Sequence, residues 1–387
     1  MFRSGIATFP LDYGRCPKWL FERMVRLSRG IIEAIVLEFG EDKFLKRIAD
    51  PCWFQSLGCV LGFDWNSSGL TTTTLGAIKV ALFDIQDEIG IYVCGGKGKT
   101  SRKTPEEIKT YSLSRGFSFG DDLVFASKIT AKVDSSLIQD GFQIYHHNFI
   151  FSRSGKWVVI QQGMNPQTQT ARRYHWFCPL DISKENIFLS EKMIVEPHTG
   201  IASQKRFKKV LNLTAKKSQN AREVSLQMVQ GSFKTLVKDL SLLSRYLLDS
   251  SKTKKLFLPG DEVFPKEPED LRLDTSYIRK TFYLLTQKKP KTFLELLNEK
   301  GVGPKTIRAL TLVAELIYGA KPSYKDPARY SFAHGGKDRV PYPVDLDVYD
   351  KTIEAVERGI KKAKIREKEK EMALKRMEKA FCQLSIK

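Results

Sequence analysis

The 387-residue sequence predicts an α+β fold: an N-terminal mixed α/β domain with antiparallel hairpins over residues 1–217, then a C-terminal all-α domain over residues 218–387. Residues 141–164, "GFQIYHHNFIFSRSGKWVVIQQGM", carry two runs of aromatic and β-branched residues on either side of "SRSG". That is the pattern of two strands joined by a hairpin turn. From Ser218 onward the texture changes to apolar residues at three- and four-residue spacing, interrupted by short breaks. The chain is also long enough to build more than one core.

The remaining elements follow in order. Residues 17–48 have helical periodicity, and residues 50–82 read as a turn-heavy segment leading into a helix. "EIGIYVCGGKGKTSRKTPEEI" reads as a strand, a glycine-rich loop and a helix start. Strand signals recur in "IFLSEKMIVEP", residues 187–197. "SQNAREVSLQMVQGSFKTLVKDLSLLSRYLLDSS" is a long helical pattern with a serine cap, and "FLPGDEVFPKEPEDLRLD" is a Pro- and Asp-rich connector. Helices are expected over about 274–287, 292–299, 304–318 and 346–384. The last is charge-dense and basic, suited either to a solvated surface or to a nucleic-acid arm.

The formal net charge of +20 favours a polyanionic partner, nucleic acid or an acidic membrane surface. A lysine-rich surface of the kind found in thermophiles gives the same balance. The six cysteines are scattered without a C-x-x-C pair, which argues against a zinc ribbon and against a secreted disulfide framework. "MFRSGIATFPLDYG" lacks a basic-then-apolar leader, and no apolar run has the length of a membrane span. A cytoplasmic protein with no membrane partner is expected.

Residues 293–310, "FLELLNEKGVGPKTIRAL", are the most informative stretch. A short amphipathic helix ends in a Gly301-Val302-Gly303 turn, and a second helix starts at Pro304, the first-turn position that proline favours. The first-turn N–H groups and the positive end of the dipole make a phosphate site, with Lys305 and Arg308 adding charge. The candidate DNA contacts here are Gly301, Val302, Gly303, Lys305, Thr306 and Arg308. An αα-hairpin with a glycine turn and no ligand is the alternative.

The order of elements resembles the helix-hairpin-helix motif, which grips DNA phosphates without reading sequence. In the base-excision DNA glycosylases of that superfamily, a Gly/Pro-rich loop and a catalytic aspartate follow the hairpin. Pro343-Val344-Asp345 matches the aspartate, and Lys305 matches the lysine of members that also cleave the strand. The resemblance implies that Asp345 stabilises positive charge on the sugar as the base leaves, while the Lys305 amine forms a Schiff base. The target base would first be flipped out of the duplex. No cofactor is implied. The chain departs from the pattern in the long Lys305–Asp345 spacing and in Leu346-Asp347, which replace a threonine-histidine pair. A cap on the last helix is the alternative role for Asp345.

In the first domain, "CGGKGKTSRKTP" falls short of the Walker pattern because Val93 stands where glycine is needed. Lys97, Lys99, Arg102 and Lys103 still suit a phosphate backbone or a solvated loop. "QTQTARRYHW" offers Arg172 and Arg173 beside aromatic residues that can stack on a base, or that belong to a core. Strict alternation puts His147 with Gln143 and Tyr145 on one face, and His146 with Ile144 and Asn148 on the other. Asp121, Asp122, Asp134 and Asp140 lie near in sequence, but Gln161 and Gln162 supply amides where a Mg²⁺ nuclease would carry carboxylates. No metal site is assigned. "DPCWFQSLGCVLGFDWNSSG", "QIYHHNFIF", "VVIQQGMN" and "ARRYHW" resemble a family of archaeal and bacterial proteins defined as a domain of unknown function. That likeness covers nearly the whole chain and implies a shared architecture without an activity.

The leading expectation is a DNA-repair protein that binds double-stranded DNA, damaged or with unpaired bases, and acts as a glycosylase with abasic-site lyase activity. Metal-dependent nuclease chemistry in the N-terminal domain and non-catalytic nucleic-acid binding are the alternatives.

Overall fold

The computed structural model describes residues 16–62, 68–178, 191–203, 206–248, 273–328, 330–331 and parts of 354–375. The fold is mixed α/β with antiparallel sheets. Four helices open it: α1 (Lys18–Phe39), α2 (Glu41–Ile48), α3 (Pro51–Val60) and α4 (Gly69–Leu82). Gly40, at φ 82°, divides the first helical pattern in two. The segment expected to be rich in turns instead contains α3. Its start is fixed by the Asp50 carboxylate, which accepts from the Cys52 and Trp53 N–H groups at 2.8 and 2.9 Å, and by Pro51 in the first turn. An aspartate cap before proline was the signal, and the glycines and aromatics around it hid it.

A short helix, α5 (Gln86–Ile89), leads into β1 (Ile91–Lys97) and a 3-10 turn over 98–103; α6 (Thr104–Arg115) and α7 (Gly120–Lys132) follow. The predicted hairpin is present as β3 (Gln143–Ser152) and β4 (Trp157–Asn165), which β2 (Ile138–Gln139) precedes and β5 (Thr170–Cys178) follows. Residues 191–193 form a 3-10 turn rather than a strand, and the next strand is β6 (His198–Ser203). The main sheet runs β1-β3-β4-β5-β6-β8, antiparallel except where β8 (Tyr330–Ser331) lies parallel to β6. A two-strand ladder joins β2 to β7 (Leu211–Asn212).

The described residues of the second half are mainly helical, α8 (Gln219–Gln230), α9 (Phe233–Leu248), α10 (Ser276–Lys288), α11 (Phe293–Asn298) and α12 (Pro304–Leu316), but not all-α as expected, since β8 joins the first half's sheet and Ser323 bridges to Asn212. Ser218 precedes α8 but does not cap it; its hydroxyl donates to the Asn212 carbonyl at 2.6 Å. The connector at 257–272 and most of 346–384 lie outside the described residues.

Strand alternation creates two cores. Val93, Ile150, Val158 and Ile160 point to one face and pack under α1–α4. Tyr92, Phe149, Phe151, Trp157, Val159 and Trp176 point to the other. Their cluster continues through Leu123 and Ile129 of α7 into Leu240, Phe282, Leu296 and Leu310 of the C-terminal helices. Each fully buried large apolar side chain contributes ~1.5–3 kcal/mol, so this shared core ties the helical half to the sheet.

Candidate nucleic-acid interface

The α11–α12 hairpin is built from its sequence in a simple way. Thr292 caps α11, accepting from Glu295 N–H at 3.1 Å, and Leu294, Leu296 and Leu297 are buried. Gly301 has φ +89°, a conformation that disfavours any side chain, and Thr281 stands 3.2 Å from where a Cβ would sit. Val302 is buried and anchors the turn. Thr306, also buried, donates to the Gly301 carbonyl at 3.3 Å. Gly301, Val302 and Thr306 therefore shape the turn from within.

Gly303 differs. Its φ of −147° is accessible to any residue, and nothing lies within 4 Å of a Cβ built on it. It is the N-cap of α12, and no side chain caps that helix end. Lys305, in the first turn, is exposed. Arg308 is half-buried, with Nε donating to the Gln139 side chain at 2.7 Å. The first-turn N–H groups of α12 have no acceptor within the helix.

Residues that sequence reasoning missed hold this hairpin in place. Lys132, at the end of α7, donates to the carbonyls of Leu297 and Glu299 at 2.7 and 2.8 Å, satisfying the C-terminal end of α11. Burial lowers the Lys132 pKa, and the nearby Glu299 opposes that shift. Gln139 donates to the Pro304 carbonyl at 2.9 Å, and Tyr277 donates to the Gly301 carbonyl at 2.8 Å. These contacts come from sites 24 to 167 positions away, so no local pattern announces them.

Lys97 ends β1 and Lys99, Arg102 and Lys103 follow in the 3-10 turn, all four exposed. Arg172 and Arg173 are not at the surface: both are fully buried in β5. Arg172 pairs with Asp326 at 2.8 Å and Asp140 at 2.9 Å, and Tyr174 also donates to Asp140 at 2.7 Å. Arg173 reaches Gln55 at 2.9 Å, Thr71 at 3.2 Å and His175 at 2.7 Å. Strand alternation explains both: in a sheet covered on its two faces, neighbouring arginines each enter a core. Asp345, the other residue of the predicted catalytic pair, lies outside the described residues.

The aspartates near the hairpin do not converge. Asp134 is buried and accepts from Gln161 and Trp176 while contacting His198 at 2.5 Å; Asp140 serves Arg172 instead. Asp121 is exposed at the start of α7. His147 bridges Ser127 and Gln161, each at 2.9 Å. Gln161 donates to Asp134 through its amide nitrogen, so its oxygen accepts from His147 Nδ1 and the imidazole Nε2 accepts from Ser127. The network closes on itself. Among the described residues no group of three or more His, Cys, Asp or Glu side chains could hold a metal ion. Among them, too, no helix is long and apolar enough to cross a membrane.

The chain belongs to the family described as "Protein of unknown function (DUF763)", which it matches over residues 5–344. Lys305 lies within that span, and Asp345 follows its last residue. No curated protein matches the chain. No solved structure matches it either.

Proposed function

We propose that this is a DNA-binding repair protein of two domains, 1–217 and 218–387, in which α11 and α12 act as a helix-hairpin-helix clamp on duplex phosphates. The observation that carries the reading is Gly303. The fold gives no steric reason for glycine there, whereas a phosphate approaching the uncapped end of α12 needs bare backbone at that point. Lys305 stands exposed beside it, and the +20 charge supplies long-range attraction to DNA.

For chemistry, Asp345 and Lys305 are assigned to base removal and abasic-site cleavage. The carboxylate stabilises the sugar cation as the base departs. The Lys305 amine then adds to C1′ of that cation and gives up a proton, the C1′–O4′ bond breaks to leave a Schiff base and a C4′ hydroxyl, and loss of a C2′ proton with elimination of the 3′ phosphate opens the strand. An exposed amine must lose its water to act as a nucleophile, and bound DNA would have to exclude it. The exposure of Lys305 also favours a second reading, a non-catalytic clamp in which the lysine only contacts phosphate.

Borohydride trapping on duplexes with abasic sites or with oxidised, deaminated or alkylated bases, in EDTA, decides between them. A covalent adduct lost in Lys305→Ala, with base release lost in Asp345→Asn, is the result expected of a glycosylase–lyase. Salt-sensitive binding without adduct or base release would leave the clamp alone.

A further inference from the structure

One face of α10 stands against the turn of the α11–α12 hairpin. Tyr277, in the first turn of α10, donates its hydroxyl to the Gly301 carbonyl at 2.8 Å. Thr281, one turn further on, lies 3.2 Å from where a Cβ on Gly301 would sit, and its own hydroxyl donates to the Tyr277 carbonyl at 2.9 Å. Lys288, at the end of α10, pairs with Glu299 just before the turn. Residues 277, 281 and 288 have the spacing of a single helix face, so this side of α10 walls the turn.

The Tyr277 hydroxyl is committed to the turn, but its ring is left open: the residue is 56% exposed. Reach alone does not call for a ring, since Lys132 satisfies two carbonyls at the end of α11 with an aliphatic chain. The charge around the ring is one-sided. Lys280 lies one turn along α10, Lys300 precedes Gly301, and Lys305 is in the first turn of α12. All three are exposed, and among the described residues none of them enters an ion pair. The acids that flank them in the chain are already engaged. Asp274 holds Arg279, Glu299 holds Lys288, and Glu295 accepts from the Lys291 N–H at 2.7 Å. An open aromatic plane therefore stands among three free cations around one turn.

We infer that Tyr277 is a base-stacking residue, and that the surface of Tyr277, Lys280, Lys300 and Lys305 takes a DNA duplex at an unpaired base beside a backbone phosphate. This rests on the hairpin acting as a phosphate clamp, and it specifies which duplex the clamp prefers. The lysines and the ring select the partner together. Lysines at a glycine turn attract any phosphate backbone without regard to its base pairing. The ring adds a preference. Bases within a continuous duplex cover one another's faces, and only an unpaired base or a helix end offers a face to stack on. The hydrogen bond to Gly301 also holds the ring in one orientation beforehand, so stacking orders little that is not already ordered.

Fluorescence anisotropy of the full chain on two duplexes tests it. Both have their ends closed by non-nucleotide linkers, and one carries a single unpaired adenine at its centre. Wild type should bind the duplex with the unpaired base about tenfold more tightly than the continuous one. Tyr277→Phe and Tyr277→Leu both lose the hydroxyl's hold on Gly301, so the comparison between them isolates the ring. The phenylalanine variant should keep the preference and the leucine variant should lose it, while the two bind the continuous duplex equally. If Tyr277→Leu does not fold, Tyr277→Met, also without a ring, carries the comparison. Gly303→Ala separates this inference from the clamp. Continuous-duplex binding that Gly303→Ala leaves undiminished removes the clamp and the stacking role with it. Gly303-dependent binding without any preference in wild type, or with a preference that Tyr277→Leu retains, overturns the stacking role alone.

Discussion

Gly95 is a residue on which the N-terminal architecture turns. It sits in β1 at φ +88°, and an added Cβ would collide with the His147 carbonyl and the Thr104 hydroxyl. Its N–H donates to Glu107 at 2.7 Å, and Lys79 clasps both Glu107 and the Gly95 carbonyl, so strand, α4 and α6 meet at one point. Gly95→Ala should lower stability by at least ~2 kcal/mol, read as a fall in urea midpoint. The buried imidazoles give a second prediction. Burial lowers the pKa of His146, His147 and His175, so the native state resists protons that the unfolded chain accepts. Their stabilisation is therefore complete above the unfolded value of ~6.5 and is lost as pH falls below it, for His146 down to about 3. Near pH 5 His146 contributes a slope of ~1.4 kcal/mol per pH unit and His147 and His175 add in the same direction, so the urea midpoint should drop between pH 7 and 5; a flat profile would contradict the buried, neutral assignment. At this scale the sequence was only partly legible. Alternation placed His146 and His147 on opposite faces, but a single bulge at Tyr145 moved its neighbours, and nothing in the composition marks that bulge.

Among the elements, the α11–α12 hairpin was legible because its signals are local: a threonine cap, leucines at helical spacing, two glycines and a first-turn proline. The β3–β4 pair was legible for the same reason. What fastens the hairpin was not, since Lys132 and Gln139 come from α7 and β2. If the hairpin grips duplex as proposed, Lys132→Met should free the end of α11 and lower duplex affinity about threefold to tenfold without removing any of the proposed phosphate contacts. Amide exchange would show the cause as faster exchange in residues 297–303 only; unchanged exchange there would mean the hairpin holds itself. Of the strand expected over residues 187–197, only 191–197 are described, and there Met193 and Ile194 enter the core at a 3-10 turn, a use of apolar residues that sequence pattern alone does not separate from a strand.

Across the whole molecule, a buried charge cluster and a shared core unite the two halves. Arg172 joins Asp140 of the first half to Asp326 of the second, and Asp326 also accepts from the Phe207 and Ala328 N–H groups at 2.8 and 2.9 Å. Arg172→Met would leave two buried carboxylates uncompensated and should cost ~3–5 kcal/mol, with amide protection lost first around 323–331 and β6. The doublet Arg172-Arg173 reads in sequence as a surface basic pair, and only the two-sided covering of β5 reveals it as interior. The proposed DNA contact rests on the hairpin, and the contrast between its two glycines makes the most direct test. Gly301→Ala strains the turn, so its loss of binding would say little, whereas Gly303→Ala should fold normally. Duplex affinity by fluorescence anisotropy, measured beside thermal stability for wild type and Gly303→Ala, is therefore the deciding measurement. An unchanged melting temperature with at least about tenfold weaker binding is the result expected if phosphate rests against the start of α12. Undiminished affinity in a folded Gly303→Ala protein would contradict the clamp.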